Sequence, residues 1–253
     1  MGERKDRLGL VSVSFRNQSP RRILQAASEA NLSCIEWGSD VHAPARDRER
    51  LREIADMQRE YGIFCSSYGT YFRLGETPLD ELPFYTEAAK TLGTDVLRLW
   101  CGSRSGDEYE PSERQTLYEE CRKAAEIAAR EQVTLCMECH KKTYTQIPED
   151  ALALMREIGS PHFRMYWQPF QWQSVEENRR YAEAIAPYVR NIHVFQWKGD
   201  GRFSLFEGID EWKGYLGFFP TPRTLLLEFM PDDKIESLSE EANALRIITE
   251  DRI

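Results

Sequence analysis

Three residues late in the chain carry side chains that could bind a metal ion, and each lies at the end of an apolar segment. They are Glu138, His193 and Glu228. If these segments are neighbouring strands, two carboxylates and one imidazole meet at one place. Such a hard oxygen-and-nitrogen site suits Mn²⁺, Mg²⁺, Co²⁺ or Zn²⁺. The spacing therefore predicts a divalent metal site, provided that the fold brings the strand ends together.

The segment TLCMECH, residues 134–140, shows the pattern most clearly. Its apolar and β-branched residues predict a buried strand, and strand alternation places Thr134, Cys136, Glu138 and His140 on one face. A buried carboxylate and imidazole need partners because burial without them is costly. The segment predicts either a functional site or an ion pair that caps the strand end. Cys136 and Cys139 form a C-x-x-C, but their spacing sends the two thiols to opposite faces, which argues against a redox or zinc pair.

Eight segments have the composition of buried strands, and amphipathic helical patterns lie between them and after the last one. The predicted strands are residues 8–14, 33–37, 63–68, 95–100, 134–140, 163–168, 189–196 and 224–229. Eight βα units in 253 residues match the size of a (β/α)8 TIM barrel. The alternative, a doubly wound sheet, usually has a glycine-rich first turn, whereas SFRNQSP follows the first strand here. We found no linker or change in composition, so the sequence predicts one domain over residues 1–253.

In a (β/α)8 barrel the chemistry lies at the carboxyl ends of the strands. Polar and aromatic residues cluster at these predicted ends, and we interpret those outside the metal site as candidates for substrate binding. They are Glu36, His42, Tyr68, Arg98, Trp100, His140, Gln196 and Lys198. Arg98, Arg104 and Lys198 could also meet a phosphate or carboxylate on the substrate. For Glu36, an alternative role is to anchor the loop after its strand.

Composition and charge limit the classes of partner. The net charge is −9, which disfavours binding to a nucleic-acid backbone. The longest apolar runs are too short to span a membrane, and the first residues show no secretion signal. The six cysteines lie in apolar runs, which predicts reduced thiols and a cytoplasmic location.

Six pieces of the chain, taken in order, resemble the xylose isomerase-like barrels, a family of sugar phosphate isomerases and epimerases. The pieces are IEWGSDVH (35–42), SSYGTYFRLG (66–75), VLRLWCG (96–102), MECHKKTYT (137–145), NIHVFQW (191–197) and LLLEF (225–229). The resemblance implies metal ligands on strands 5 to 8, which here are Glu138, Gln168, His193 and Glu228. An endonuclease IV-like branch of the family needs more histidines and a basic face, which this chain lacks.

Three positions differ from the family pattern. Gln168 stands where an Asp is common, Gln171 replaces a His, and Gln196 replaces an acid that often follows the strand 7 histidine. A glutamine oxygen can bind a hard cation but supplies no charge. The resemblance therefore implies a site with less negative charge, whose metal occupancy depends on the remaining ligands.

The resemblance implies a metal-assisted isomerase or epimerase of a small carbohydrate. Glu138 and Glu228 would remove and return the proton next to a carbonyl, and the ion would polarise that carbonyl. Two alternatives stay open: a dehydratase that uses the same proton abstraction, and a carbohydrate-binding barrel that has lost its metal. Barrels of this kind often pair through their outer helices, so a homo-oligomer is an alternative to a monomer.

Overall fold

The computed structural model describes residues 5–220 and 222–252. Its ten strands are β1 (Arg7–Val11), β2 (Cys34–Gly38), β3 (Phe64–Leu74), β4 (Val96–Cys101), β5 (Thr134–Glu138), β6 (Phe163–Trp167), β7 (Val189–Val194), β8 (Gln196–Lys198), β9 (Gly201–Phe203) and β10 (Thr224–Leu227). Strands β1 to β7 and β10 close into a parallel barrel, in which β10 pairs with both β7 and β1. Strands β8 and β9 form a separate antiparallel hairpin. The (β/α)8 barrel predicted from the sequence is confirmed.

Within residues 5–220 and 222–252, eight α-helices surround the barrel, one after each barrel strand. They are α1 (Pro20–Glu29), α2 (Arg48–Tyr61), α3 (Leu82–Leu92), α4 (Pro111–Glu131), α5 (Pro148–Ile158), α6 (Val175–Ile185), α7 (Ile209–Leu216) and α8 (Leu238–Thr249). None of the helices in the described ranges combines the length and the hydrophobicity that a membrane span needs.

Local sequence signals explain where these helices begin and end. Ser19 caps α1 by accepting a hydrogen bond from the backbone N–H of Arg22, and Pro20 occupies the first helical position. Gly62 ends α2 with a φ of 67°, a left-handed conformation that suits glycine. These caps satisfy backbone groups that a helix end leaves without an intrahelical partner.

The apolar core has two parts. The larger part lies between the strands and the outer helices, and a smaller cluster fills the barrel interior. Val11, Cys34, Val96, Cys136 and Leu226 belong to the interior cluster. This apolar plug occupies the centre of the barrel, so the polar side chains farther along the same strands gather at its carboxyl end.

Strand β3 is longer than the sequence predicted. The predicted strand ended at Tyr68 and a loop followed, but β3 continues to Leu74. It continues because Arg73 and Leu74 pair with Trp100 and Cys101 of β4. The extension brings the Tyr71 ring to 5.3 Å from the Trp100 ring, measured between centroids.

Strand β5 is shorter than the sequence predicted. It ends at Glu138, so His140 lies beyond the strand and does not share its inward face. Cys136 faces the barrel interior and Cys139 the outer core, which confirms that the two thiols point apart. All six cysteines are free and buried.

Candidate metal centre and active site

The three residues from which the sequence argument began meet at the carboxyl end of the barrel. Glu138 ends β5, His193 lies on β7, and Glu228 follows β10. His193 Nδ1 lies 3.3 Å from Glu138 Oε1 and 3.5 Å from Glu228 Oε2. One ligand atom from each residue falls within 4.8 Å of the other two. The fold therefore forms the cluster that a single cation requires.

Gln168 joins this cluster from the end of β6. Its Oε1 lies 3.0 Å from His193 Nδ1. The amide oxygen thus faces the same nitrogen as the carboxylates of Glu138 and Glu228. All four residues that the sequence predicted as ligands are together, and their binding of a metal stays a prediction.

A buried arginine connects the cluster to a second carboxylate beneath it. Arg98 Nη1 donates to Glu138 Oε2 at 2.6 Å, and Arg98 Nε donates to Glu36 Oε1 at 2.9 Å. Trp100 Nε1 also donates to Glu138 Oε2, at 2.5 Å. These bonds fix one oxygen of Glu138 and leave the other, Oε1, facing His193.

Glu36 is fully buried in the barrel and has further partners. Tyr166 Oη donates to Glu36 Oε2 at 2.8 Å, and Ser67 Oγ donates to the same oxygen at 3.0 Å. Asn191 in turn donates to Tyr166 Oη at 2.6 Å. This polar network replaces the usual apolar filling above the interior plug. It holds the carboxylate that lies under His193.

Gly69 of β3 makes room for this network. A Cβ at this position would lie 2.7 Å from Glu36 Oε1 and 2.9 Å from Arg98 Nη2. Both distances are shorter than any ordinary carbon contact. A glycine is therefore required because the Glu36–Arg98 pair presses against the backbone.

The charges of the buried cluster do not balance. Glu36, Glu138 and Glu228 are three buried carboxylates, and within the described ranges Arg98 is the one buried guanidinium beside them. Burial and the neighbouring charge of Glu138 raise the pKa of Glu228 to about 7, although His193 and Arg98 lower it. Burial opposes a charged imidazole, yet Glu228 and Glu36 raise the pKa of His193 to about 10. Three ionised carboxylates and one guanidinium leave an excess of two negative charges, and both pKa shifts follow from that excess.

The other two carboxylates are held in the ionised form. Burial raises the pKa of Glu36, but the charges of Arg98 and His193 outweigh burial and lower it to about 2. The same two cations hold the pKa of Glu138 well below its ordinary value, again against the effect of burial.

A divalent cation fits both the charge and the donors of this cluster. It would supply the two positive charges while His193 stays neutral, and it would meet carboxylate, imidazole and amide donors. His193 Nε2, on the other side of the ring, lies 3.5 Å from Glu36 Oε1 and has no hydrogen-bond partner within the described residues. A carboxylate behind a ligand histidine is the usual means of orienting the ring. Glu138, Gln168, His193 and Glu228 would hold the ion, with Glu36 orienting His193.

A cavity of about 260 Å³ opens above the cluster. Glu138, Gln168 and Glu228 line it near the cluster, and His140 and Gln171 add polar groups. Its walls are mainly aromatic and consist of Tyr71, Trp100, Phe170, Trp172, Phe195, Trp197 and Phe229. The volume suits a small ligand with one apolar face.

Besides Arg98, two cationic residues line this cavity. Arg16 forms an ion pair with Asp40, and its Nη2 donates to Tyr71 Oη at 2.7 Å. Lys141 Nζ lies 4.4 Å from the centre of the Trp172 ring and has no carboxylate partner within the described part of the chain. The charge of Lys141 is thus available to an anionic group on a ligand.

Two of the predicted substrate-binding residues line the cavity in the expected way. Trp100 contributes to its wall, and the His140 ring packs against Trp100 with a centroid separation of 5.1 Å. His140 Nδ1 lies 2.8 Å from the carbonyl oxygen of Lys141, which leaves Nε2 without that constraint. Arg98 also lines the cavity, but its charge is shared between Glu36 and Glu138.

Three predicted substrate-binding residues are buried away from the cavity, so the prediction for them is wrong. Glu36 lies beneath the cluster, is 0% exposed and pairs with Arg98 instead of facing the cavity. His42 lies 3.1 Å from Ser12 Oγ and supports the loop after β2. Tyr68 donates through its hydroxyl to the carbonyl of Ala43, in the core outside the barrel.

Gln196 and Lys198 also lie outside the cavity above the cluster. They belong to the β8–β9 hairpin and line a neighbouring cavity of about 390 Å³. The chain turns into this hairpin directly after β7, so both residues lie away from the barrel mouth. A longer β7 would have placed them at the mouth. Lys198 Nζ lies 4.0 Å from Glu211 Oε2. Arg104 pairs with Glu113 and lines a different surface cavity.

The sequence interpretation missed most of the aromatic wall. Trp172 is 53% exposed, an unusual position for a tryptophan. Phe229 follows Glu228 directly and has a φ of 57°, which turns the chain at the cavity. The aromatic wall could have been predicted from the aromatic residues that directly follow the predicted strands, because the loops at the carboxyl ends of the strands form the mouth of a barrel.

Comparisons with known proteins agree with this architecture. A curated 3-dehydroshikimate dehydratase from Bacillus anthracis is 20% identical over 194 residues, which is 73% of this chain and 69% of that protein. The crystal structure of a probable 3-DHS dehydratase from the same organism has a TM-score of 0.81 at 18% identity, covering 94% of this chain and 98% of the other.

Two further solved structures share the fold. A D-psicose 3-epimerase determined in the presence of D-fructose has a TM-score of 0.72 at 13% identity, covering 96% of this chain and 99% of the other. A barrel protein from Mycobacterium smegmatis in complex with magnesium has a TM-score of 0.70 at 13% identity, covering 98% and 97%. The family model described as xylose isomerase-like TIM barrel matches residues 24–219. The chain therefore belongs to the xylose isomerase-like TIM barrel family.

Proposed function

We propose that the protein is a divalent-metal-dependent enzyme that removes a proton from the carbon next to a carbonyl in a small hydroxylated ketone. The observation that carries this proposal is the cluster of Glu138, His193 and Glu228 at the base of the cavity, with its deficit of two positive charges. When bound, the metal ion would act as a Lewis acid that stabilises negative charge developing on the carbonyl oxygen.

The two glutamates are suited to proton transfer. Glu228 lies against His193 and lines the cavity, so its carboxylate can reach a bound substrate. Glu138 lines the cavity as well, and its Oε2 is fixed by Arg98 and Trp100. We assign Glu228 as the base that takes the proton and Glu138 as a rigid group on the other side of the reacting carbon. Positioned acid–base catalysis of this type contributes about 10²–10⁴-fold.

The cavity favours a dehydration as the overall reaction. After the proton leaves, the bond from the adjacent carbon to its hydroxyl group breaks, and the departing hydroxide takes a proton and leaves as water. His140 lines the cavity outside the metal cluster and can donate that proton. The aromatic walls suit a flat, unsaturated product, and Lys141 suits a carboxylate on it. The curated relative named as a 3-dehydroshikimate dehydratase supports this reaction class.

An isomerisation or epimerisation is the second candidate. It is favoured by the presence of two cavity-lining carboxylates, Glu138 and Glu228, because one can remove a proton and the other can return it. The structural neighbour described as a D-psicose 3-epimerase has the same fold. This candidate differs from dehydration only in the fate of the deprotonated substrate.

A proton NMR assay in D₂O separates the two reactions. The protein, loaded with Mn²⁺ and then exchanged into Mg²⁺ to limit line broadening, is incubated with 3-dehydroshikimate or with D-fructose. Dehydration gives new signals of an unsaturated product, whereas epimerisation gives deuterium incorporation without loss of water. Glu228→Gln should abolish turnover, and Glu236→Gln, at an exposed carboxylate, should leave it unchanged.

The same experiment tests whether the protein is an enzyme at all. If no divalent ion binds and neither compound exchanges a proton, the proposal fails, and a barrel that binds carbohydrate without catalysis becomes the better interpretation. If turnover persists in Glu228→Gln, the assignment of Glu228 as the base is wrong.

A further inference from the structure

A second cavity lies at the opposite end of the barrel, where the strands begin. It has a volume of about 410 Å³. It is lined mainly by polar groups, and its lining includes the residues at the amino ends of β1, β3, β4, β7 and β10. The candidate metal cluster lies at the carboxyl end of the barrel, so this cavity is separate from the proposed active site.

Three arginines from different parts of the chain line this cavity. Arg7 begins β1, Arg190 lies near the start of β7, and Arg223 immediately precedes β10. The parallel pairing of β1 and β7 with β10 brings them to one edge, since Arg7 pairs with Thr224 and Asn191 pairs with the same residue. The fold, and not the local sequence, therefore creates this cluster of cations.

The three guanidinium groups have no carboxylate within ion-pair distance among residues 5–220 and 222–252. Arg7 Cζ lies 5.4 Å from the centre of the Phe64 ring, and Arg223 Nη1 donates to the carbonyl of Pro222 at 3.1 Å. Arg223 Nε is buried and has no hydrogen-bond partner within the described residues. Several arginine donors at this cavity are thus left for a ligand.

The acidic residues nearby do not neutralise the cluster. Asp95 also lines the cavity, but it is exposed and forms no ion pair in the described part of the chain. The Asp6 side chain is only 3% exposed and is already paired, because it accepts hydrogen bonds from Arg252 Nε and from the backbone N–H of Arg223. The lining therefore carries three positive charges and one negative charge, in a chain whose net charge is −9.

The positive charges around Arg223 make its own charged form less favourable. Burial, together with the nearby positive charges of Arg252 and Arg190, lowers the pKa of its guanidinium, and Asp6 offsets only part of that effect. Like charges held together around a polar space are stabilised when an anion enters it. Arginine is well suited to this role because its planar fork can donate two hydrogen bonds to one oxyanion.

We propose that the cavity lined by Arg7, Arg190 and Arg223 binds a small oxyanion of the phosphate type, either free phosphate or the phosphate group of a metabolite. The site is independent of the proposed catalytic reaction. An anion bound there neutralises the repulsion among the arginines and joins the beginnings of β1, β7 and β10.

Isothermal titration calorimetry with inorganic phosphate tests the proposal. The protein is first treated with EDTA, so that phosphate cannot bind through a metal at the barrel mouth, and acetate at the same ionic strength serves as the comparison anion. We expect saturable binding of one phosphate and no saturable binding of acetate. Arg190→Gln should weaken phosphate binding at least tenfold, and Arg190→Lys, which keeps the charge but loses the fork, should weaken it less. Glucose 6-phosphate replaces phosphate in a second titration: tighter binding identifies a phosphate ester as the natural source, and weaker binding identifies the free ion.

Two control variants locate the binding site. Arg104→Gln removes a half-buried arginine elsewhere on the surface, and Lys141→Gln removes a cation at the barrel mouth that has no carboxylate partner among the described residues. Both should bind phosphate as the unchanged protein does. The proposal is overturned if phosphate does not saturate, if Arg190→Gln binds it normally, or if Lys141→Gln loses it. Circular dichroism confirms that Arg190→Gln is folded, which its exposed position makes the expected result.

Discussion

Replacing Arg98 tests the electrostatic design of the candidate metal centre. Its guanidinium bonds to Glu36 at 2.9 Å and to Glu138 at 2.6 Å, and all three side chains are almost completely buried. Arg98→Gln would leave the two carboxylates without their cation in a low-dielectric interior. Glutamine keeps some hydrogen-bonding capacity, so the change removes mainly the charge.

The size of the effect follows from this geometry. Removing one partner of a buried ion pair costs about 3–5 kcal/mol, because the remaining charge stays desolvated. The unfolding entropy of a chain of 253 residues is about 0.5 kcal/mol/K. We therefore expect Arg98→Gln to lower the melting temperature of the metal-free protein by about 6–9 °C.

Differential scanning calorimetry in EDTA at pH 7.5 measures this shift, with Arg104→Gln as the matched control. Arg104 pairs with Glu113 on the surface, where a pair contributes about 0–1 kcal/mol, so the control should change by about 2 °C at most. A double-mutant cycle with Glu36→Gln isolates the interaction between Arg98 and Glu36, because the double variant lacks both charges.

Metal ions add a second readout to the same experiment. Arg98→Gln leaves three buried carboxylates without a guanidinium, so Mn²⁺ should raise the melting temperature of this variant more than that of the unchanged protein. The reasoning is refuted if Arg98→Gln melts within about 2 °C of the unchanged protein in EDTA, as the surface control does.

Three further predictions concern the same site. Mn²⁺ at 100 times its dissociation constant should stabilise the protein by about 2.7 kcal/mol in calorimetry, and His193→Ala should lose this response; an equal response would show that the ion binds elsewhere. Gln168→Asp should bind Mn²⁺ at least tenfold more tightly in a calorimetric titration, because it adds a charged ligand beside His193, and unchanged affinity would place the ion away from residue 168. Gly69→Ala should lower the unfolding free energy measured in urea by about 1–3 kcal/mol, because the added Cβ would press on the pair of Glu36 and Arg98. In the control variant Gly217→Ala, the nearest atom to the added Cβ lies at 3.4 Å, so the unfolding free energy should hardly change.

The positions of the candidate metal ligands could be predicted because they depend on the strand period. Glu138, His193 and Glu228 end or follow apolar runs, and a parallel barrel brings such ends to one mouth. The prediction did not need the lengths of the strands to be correct. The three side chains meet as predicted, although β5 ends two residues earlier than predicted and the last barrel strand ends at Leu227.

The roles of the other polar residues could not be predicted in the same way. Glu36 and Arg98 were interpreted as substrate-binding residues, but each finds a buried partner of opposite charge on another strand. Gln196 and Lys198 were expected at the mouth, but a hairpin that forms directly after β7 carries them into the neighbouring cavity. These outcomes depend on contacts between segments far apart in the sequence.

The architecture and the strand ends that carry Glu138, His193 and Glu228 follow from the amino-acid sequence, because hydrophobic periodicity and helix caps are local properties of the chain. Which charges neutralise one another, and which stay unpaired, depends on the folded arrangement of the strands. Coulomb interactions and desolvation depend on distance and burial, and these are fixed only when the barrel closes. For that reason, the structure was needed to show a deficit of two positive charges at the carboxyl end of the barrel and a surplus of positive charge at the amino end.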